Sequence, residues 1–337
     1  MSPALPFILL CVLGVVFVNG WTDAPNAIAT VVGTRSMGPR AAVAMAAGCN
    51  LLGAAAVWVM GARVAATIQS IADFGRGRPA LAALAAALLS IILWAVAAWR
   101  FGIPTSESHA LVAALTGAAM AVSSLDAVNP AAWGRVLAGL FVSTGMGFLL
   151  GLASARLVEG LCRPLPRRAA GRFFRAAQIV AGGATAFLHG AQDGQKFIGV
   201  CVLGLLLAEG KDPAADLPAP AWIVLLCALV MSLGTSAGGG RIIKAVGMDM
   251  VRLQKHQGFA ADLAASLCLL LSTLWGVPVS TTHTKTAAVM GVGAARRLRA
   301  VNWRVAGGMG ATWIITFPAC GMLGYLLSKS FLVLFSG

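Results

Sequence analysis

Along this chain long apolar runs alternate with short polar breaks. The runs cover residues 4–34, 39–62, 80–99, 132–155, 173–208, 220–240, 257–275 and 303–327. A bilayer core asks for about 20 apolar residues per helix, so each run reads as a membrane-crossing helix. Two shorter apolar pieces, 104–122 and 278–294, each open on a proline followed by serines and threonines. The pattern predicts ten crossing elements in an all-α polytopic membrane protein. The leading run lacks a basic start and a small-residue cleavage signal, so a retained helix is expected there and not a signal peptide.

Composition agrees with this reading. Of 337 residues, 59% are hydrophobic and 11% charged, whereas soluble domains carry about a quarter charged residues. The net charge of +14 could suggest nucleic acid, but its placement points to topology. Seventeen of the 25 Lys and Arg fall in five loops: Arg35 and Arg40; Arg100; the six arginines from Arg156 to Arg175; Arg241, Lys244, Arg252 and Lys255; and Arg296, Arg297, Arg299 and Arg304. By the positive-inside rule these loops face the cytoplasm of a cell (inner) membrane, which leaves both termini outside and the 156–175 loop cytoplasmic. The segment 63–78 must then lie outside despite Arg63, Arg76 and Arg78, on the same side as the acidic segment 209–218 with Glu209, Asp212 and Asp216. Seven cysteines stand singly without metal-ligand spacing, so neither a disulfide nor a bound metal is implied by them.

Two motifs occur twice. "GWTDAPNAI" from Gly20 aligns with "GAQDGQKFI" from Gly190 at an offset of 170 residues. "GIPTSESHALVAALTGAA" from Gly102 aligns with "GVPVSTTHTKTAAVMGVGAA" from Gly276 at an offset of 174. Residues 1–160 therefore form one repeat, 173–337 a second, and 161–172 an Arg-rich cytoplasmic linker. Each repeat makes five crossings, an odd number, so the second is expected to run inverted relative to the first. Inverted repeats in transporters meet at the midplane through interrupted helices, and both motifs read as such interruptions.

The chemistry lies in the polar residues that sit within apolar segments: Asp23, Glu107, His109, His189, Asp193, Lys196, Asp262, His283 and Lys285. Each costs a few kcal/mol at bilayer depth and marks a bundle interior or an aqueous path. Pro25 removes a donor and discourages helix at Ala24, so a break is expected near Asp23. Freed carbonyls, Asp23 and Asn26 would offer hard oxygen ligands to a cation, although a capped proline kink would show the same residues. "PTSESH" and "PVSTTH" read as helix N-termini, where backbone N–H groups and the dipole favour an oxyanion. Thr105, Ser106 and Ser108, and Ser280, Thr281 and Thr282, would add hydroxyl donors; plain capping is the simpler alternative. His109 and His283 fit structural or proton-sensitive roles. Glu107 and Lys285 have no repeat counterparts, since Thr281 and Leu111 occupy those places, and Asp262 is a candidate partner for Lys285. The glycine-rich "GTSAGGGR" from Gly234 lacks the lysine and strand of a phosphate loop and reads as close packing or a helix end.

With these residues the chain resembles the inorganic phosphate transporter (PiT) family, of the bacterial low-affinity phosphate permease type. The resemblance rests on "GWTDAPNAIATVVGTRSM", "GIPTSESHALV", "HGAQDGQKFIGV", "GGGRIIKAVG" and "GVPVSTTHTKTAAVMGVG". It implies an inverted-repeat secondary transporter with broken helices and two re-entrant helical hairpins, at about 104–122 and 278–294. It also implies phosphate symport with H+ or Na+ by alternating access, within a homodimer in the lipid bilayer. Cofactors are not expected, and a divalent metal carried as metal–phosphate is another way to offset the anion's charge. Phosphate would be held by Thr105, Ser106, Ser108, Ser280, Thr281 and Thr282. The coupling cation or proton falls to Asp23, Asn26, Asp193, Lys196 and Gln192, with Asp23, Asn26 and Asp193 as ligands if the cation is Na+.

The family signature, G-A-N-D-x-A-N-A in each half, is altered here. Trp21 and Thr22 depart from it in the first copy, and Gln192 and Lys196 replace both asparagines in the second. An ammonium at Lys196 beside Asp193 would fill the niche of a bound cation and favour H+ coupling; snorkelling of Lys196 to the interface is the rival reading. A sulfate permease on the same fold is the alternative within transport. A membrane-embedded hydrolase using Ser, His and Asp is the alternative of another class, but a symmetrically duplicated Ser/His motif does not suit a single triad.

Overall fold

The computed structural model describes residues 4–101, 103, 105–162, 166–212 and 219–335. Gly102 and Pro104 of the first hydroxyl motif, part of the Arg-rich linker at 163–165, and Asp216 lie outside the described residues. All the regular elements among the described residues are helices. Its first half holds α1 (Ala4–Thr22), α2 (Pro25–Gly33), α3 (Pro39–Ala55), α4 (Val57–Met60), α5 (Arg63–Gln69), α6 (Gly77–Phe101), α7 (Glu107–Ser123) and α8 (Pro130–Cys162). Its second holds α9 (Arg167–Ala208), α10 (Ala221–Ser236), α11 (Gly240–Lys244, continued by a π turn), α12 (Lys255–Leu274), α13 (Thr281–Arg296) and α14 (Trp303–Phe335). Among the described residues six spans are long and apolar enough to cross a membrane, and α10 with α11, bent by 67°, is a seventh only when the pair counts as one broken span and not as a re-entrant loop. α3 and α13, of 17 and 16 residues, are not among them although the pattern predicts crossings at 39–62 and 278–294, nor is the 42-residue α9. It is roughly 60 Å long at 1.5 Å per residue, and His189, Asp193 and Lys196 sit in its apolar part.

The two halves interlock. α7 of the first half packs on α14 of the second, and α13 of the second packs on α8 of the first. The same exchange links α3 with α9 and α10 with α1. Glycines permit the closest of these crossings. A Cβ on Gly117 would fall 2.0 Å from the Gly321 carbonyl of α14, and one on Gly291 would fall 2.1 Å from the Phe148 carbonyl of α8. Gly117 and Gly291 are 174 residues apart, the offset of the hydroxyl motifs. Small residues let backbones approach where lipid gives no hydrophobic drive to associate.

Three expectations change in detail. The first apolar run does break at Asp23, yet Ala24 keeps helical dihedrals (φ −53°, ψ −32°). Pro25 interrupts the ladder only by tightening it: Asn26 N–H donates to Asp23 O and Ala27 N–H to Ala24 O. The second copy does not break at all, because Gln195 stands where Pro25 does and α9 runs on through Asp193. Finally, 104–122 and 278–294 are not hairpins in themselves. Each described part is a short extended lead-in followed by one helix, and the chain turns back between α6 and α7 and between α12 and α13. The "GTSAGGGR" segment is a helix end: α10 stops at Ser236 and Gly238 takes a left-handed φ of +77°.

Candidate functional site

α7 and α13 point their N-termini at each other. Ser106 and Ser280 take extended dihedrals as N-caps, and each side chain accepts from the backbone N–H three residues on, His109 and His283 respectively. The two cap hydroxyls then meet, Ser106 Oγ donating to Ser280 Oγ at 2.8 Å. Thr105, Ser106, Ser108, Ser280, Thr281 and Thr282 are all buried around this contact. Two helix N-termini abut there, with their positive dipole ends and first-turn N–H groups directed at one point.

Behind the tips stand the two aspartate motifs. Asp23 is 2% exposed and Asp193 fully buried. Thr282 Oγ1 donates to Asp23 Oδ1, and Thr281 Oγ1 donates to Asp23 Oδ2 at 3.3 Å. Asn26 Nδ2 bridges Asp23 Oδ1 (2.9 Å) and Thr282 Oγ1 (3.2 Å). In the other copy Lys196 Nζ bridges Asp193 Oδ1 (2.6 Å) and Ser108 Oγ (2.6 Å), and also donates to Val279 O (2.7 Å). Ser108 and Thr282 correspond at the offset of 174. Lys196 therefore does in one copy what Asn26 does in the other, joining its own aspartate to the opposite half's tip. It does not snorkel: the side chain is 1% exposed and held by three oxygens.

The donor set suits a small hard cation. Asn19 Nδ2 donates to Asp193 Oδ2 at 3.1 Å, which leaves Asn19 Oδ1 buried without a donor, as is Asn26 Oδ1. Asp23, His189 and Asp193 bring one ligand atom each within 4.8 Å of one another. His189 is constrained further. Thr235 Oγ1 donates to Met231 O, so it must accept from Asn50 Nδ2, and this turns Asn50 Oδ1 toward His189 Nδ1 at 2.9 Å. Nδ1 must then carry the proton, and Nε2 faces Asp193 Oδ2 at 3.5 Å. Two acceptors face each other there unless a proton or cation lies between them.

Gln192, expected among the coupling residues, lies elsewhere: it accepts from Thr273 Oγ1 (2.6 Å) and donates to Val277 O (3.0 Å). It braces the lead-in to the second tip. Lys285 and Asp262 do pair, with Thr30 Oγ1 bridging to Asp262 (2.5 Å) and Lys285 also donating to Ala27 O. This ties α13 to α2 and α12. His109 and His283 stack edge to face at 4.3 Å between the tips, backed by Phe317 and Trp313 of α14. Sequence reasoning passed over Asn19 and Thr22. Thr22 donates to buried Glu107 at 2.8 Å, with Glu107 Oε2 left unpartnered. His189 was visible as a polar residue in an apolar run. Its position one helical turn before Asp193 was the available clue.

The description "Phosphate transporter family" is matched by residues 19–324. A probable low-affinity inorganic phosphate transporter of Bacillus subtilis is 36% identical over 318 residues, covering 94% of each chain. A protein of the same description from Rhizobium meliloti is 37% identical over 311 residues, covering 92% of this chain and 91% of its own. Among solved structures, "The sodium-dependent phosphate transporter" superposes with a TM-score of 0.88 over 98% of this chain and 99% of that one, at 22% identity.

Proposed function

Because the chain belongs to the phosphate transporter family, and so is a membrane transporter of inorganic phosphate and not an enzyme, we propose that it moves phosphate by symport with a monovalent cation, H+ or Na+, in alternating access. The observation that carries this reading is the use of Asp23 as acceptor for Thr281 and Thr282. Those hydroxyls are the donors phosphate needs. A proton or cation on Asp23 weakens its claim on them and frees them for the anion. Phosphate in turn adds negative charge beside the cation, so each favours the other. Neither is well held alone, which is what coupled transport requires.

In this reading the two copies divide the work. The Asp193 side carries a tethered ammonium, Lys196, so the exchangeable cation belongs to the Asp23, Asn26 and Asn19 side. With two carboxylates and one ammonium, this group holds one negative charge for a monovalent partner to balance before phosphate arrives. The gap between His189 and Asp193 offers a second place for a proton. A divalent ion accompanying phosphate as a neutral pair has one point in its favour, the convergence of Asp23, His189 and Asp193. The positive-inside rule sets both termini outside, and the ion pair of Arg76 with Asp212 (3.5 Å) is consistent with 63–78 sharing the acidic outer face. A homodimer completes the proposal; exposed apolar side chains such as Phe141 on α8 and Ile314 on α14 serve lipid or a second copy.

Labelled phosphate uptake into proteoliposomes tests the coupling. Na+, H+ and Mg2+ gradients are imposed one at a time. Uptake driven by a proton gradient without Na+ is expected. Strict Na+ dependence with no response to pH would overturn the role given to Lys196, and dependence on Mg2+ would favour the neutral metal–phosphate.

A further inference from the structure

Each tip follows a helix end, and each of those helix ends is held by an arginine from the other half. Arg63, at the first turn of α5, donates through Nη1 to the carbonyl of Leu274, the last residue of α12 (3.1 Å). Arg241, on α11, donates through Nη1 to the carbonyl of Arg100, next to last in α6. Leu274 and Arg100 are 174 residues apart, the offset that relates the tips themselves. The two arginines hold equivalent places in an exchanged arrangement, first half gripping second and second gripping first.

Local packing repeats the correspondence. α5 rests on α9, where Val64 N–H donates to Gln195 Oε1 at 3.1 Å, directly beside the Asp193–Lys196 pair. α11 rests on α2, where a Cβ on Gly239 would fall 2.2 Å from Pro25 Cγ, beside Asp23 and Asn26. Pro25 and Gln195 are themselves equivalent positions of the first motif. Each arginine thus sits on a short element seated against one cation motif and reaches to the helix end before one hydroxyl tip. Both are exposed, and each borders a cavity: about 380 Å³ between Arg63, Arg135 and Trp275–Pro278, and about 750 Å³ between Trp21, Trp99 and Arg241. The first cavity ends at Pro278, one residue before Val279, whose carbonyl accepts from Lys196. Gly276, in the lead to the second tip, takes a φ of +70° and lies against the Arg63 side chain, so this lead bends where it is held.

We propose that Arg63 and Arg241 are paired latches, positioning residues that close the route to the phosphate site from opposite faces of the membrane. The inference rests on the alternating-access reading. Opening one face requires its arginine to release a helix-end carbonyl. Occupancy of the adjoining cation motif reaches the latch through Gln195 in one half and Pro25 in the other. Neither arginine touches the phosphate-binding hydroxyls. Loss of one latch should therefore shift which face is open without removing a ligand.

The test uses the whole protein in vesicles of known orientation. The KM for phosphate is measured at each face for wild type, Arg63→Ala, Arg241→Ala and the double variant. Arg63→Ala should lower KM at the face where α12 ends and raise it at the other, by roughly tenfold as expected for one charge-assisted hydrogen bond. Arg241→Ala should do the reverse, the double variant should return toward wild type, and Arg63→Lys and Arg241→Lys should restore most of the balance. A merely structural defect would lower turnover at both faces alike. Single variants that move KM in the same direction, or not at all, would overturn the latches. Wild-type counterflow of labelled phosphate separates the two levels. If it is absent, alternating access falls and the latches with it; if it is present and the variants do not split, only the latches fall.

Discussion

Asn26 and Lys196 occupy equivalent places and make equivalent bonds, one with a neutral amide and the other with an ammonium. Replacing Lys196 by asparagine should leave the bonds to Asp193 and to Ser108 makeable, as Asn26 makes them in the other copy, and remove the charge together with the bond to Val279 O. The expected outcome is a folded Lys196→Asn transporter whose uptake now rises with external Na+, because a free cation must replace the tethered one. Flux with and without Na+ at constant pH checks it, and uptake as independent of Na+ as the wild type would count against the charge-substitution idea. Lys196→Met, in contrast, leaves Asp193 buried with only His189 and Asn19 against it. Breaking a buried pair from one side costs about 3–5 kcal/mol, so this variant should melt well below Lys196→Asn in detergent.

At the level of elements, the tips are held in place by helix contacts that tolerate no side chain. Gly291 brings α13 against α8, and its Cβ position is 2.1 Å from a backbone carbonyl that cannot rotate away. Gly291→Leu should force the two helices apart, with a cost of about 1–3 kcal/mol or more. Because Ser280 sits at the other end of the same helix, phosphate affinity should fall together with melting temperature. Gly134 has open space at its Cβ position, so Gly134→Leu is the control and should change neither. The hydroxyl motifs were legible as helix starts because a cap needs only neighbouring residues: an oxygen at Ser106 or Ser280 and an N–H three positions later. The fate of the aspartate motifs was only half legible. A proline predicts an interruption, but whether the chain unwinds or merely tightens is settled by the helices packed around it.

For the whole molecule, selectivity follows from which groups face the anion. Phosphate at neutral pH still carries a proton to donate, and in the proposed site the buried carboxylates of Asp23 and Asp193 beside the tips are the candidate acceptors. Sulfate has no such proton and would leave an acceptor unmatched beside a second negative charge. A site built around a hydrogen bond rejects an analogue lacking it by large factors, so even about a hundredfold excess of sulfate should leave phosphate uptake nearly intact. Strong competition by sulfate would instead favour recognition by hydroxyls and helix ends alone.

The all-α membrane architecture, the repeated motifs and most of the residues that gather at the candidate site followed from the sequence by itself, for a physical reason. A bilayer requires apolar length, and each polar departure from it stands out against that background. The duplicated motifs added position, since two copies at nearly one offset predict a shared centre. Tertiary structure decided what depends on partners far away in the chain. It joined Lys196 to the opposite tip, gave Asp23 the hydroxyls of Thr281 and Thr282, paired Lys285 with Asp262, and aimed His189 at Asp193. It also set Arg63 and Arg241 against the ends of helices in the other half. Each of these is a contact between different elements of the chain or a choice of rotamer, and no local pattern encodes which buried oxygen a long side chain will find.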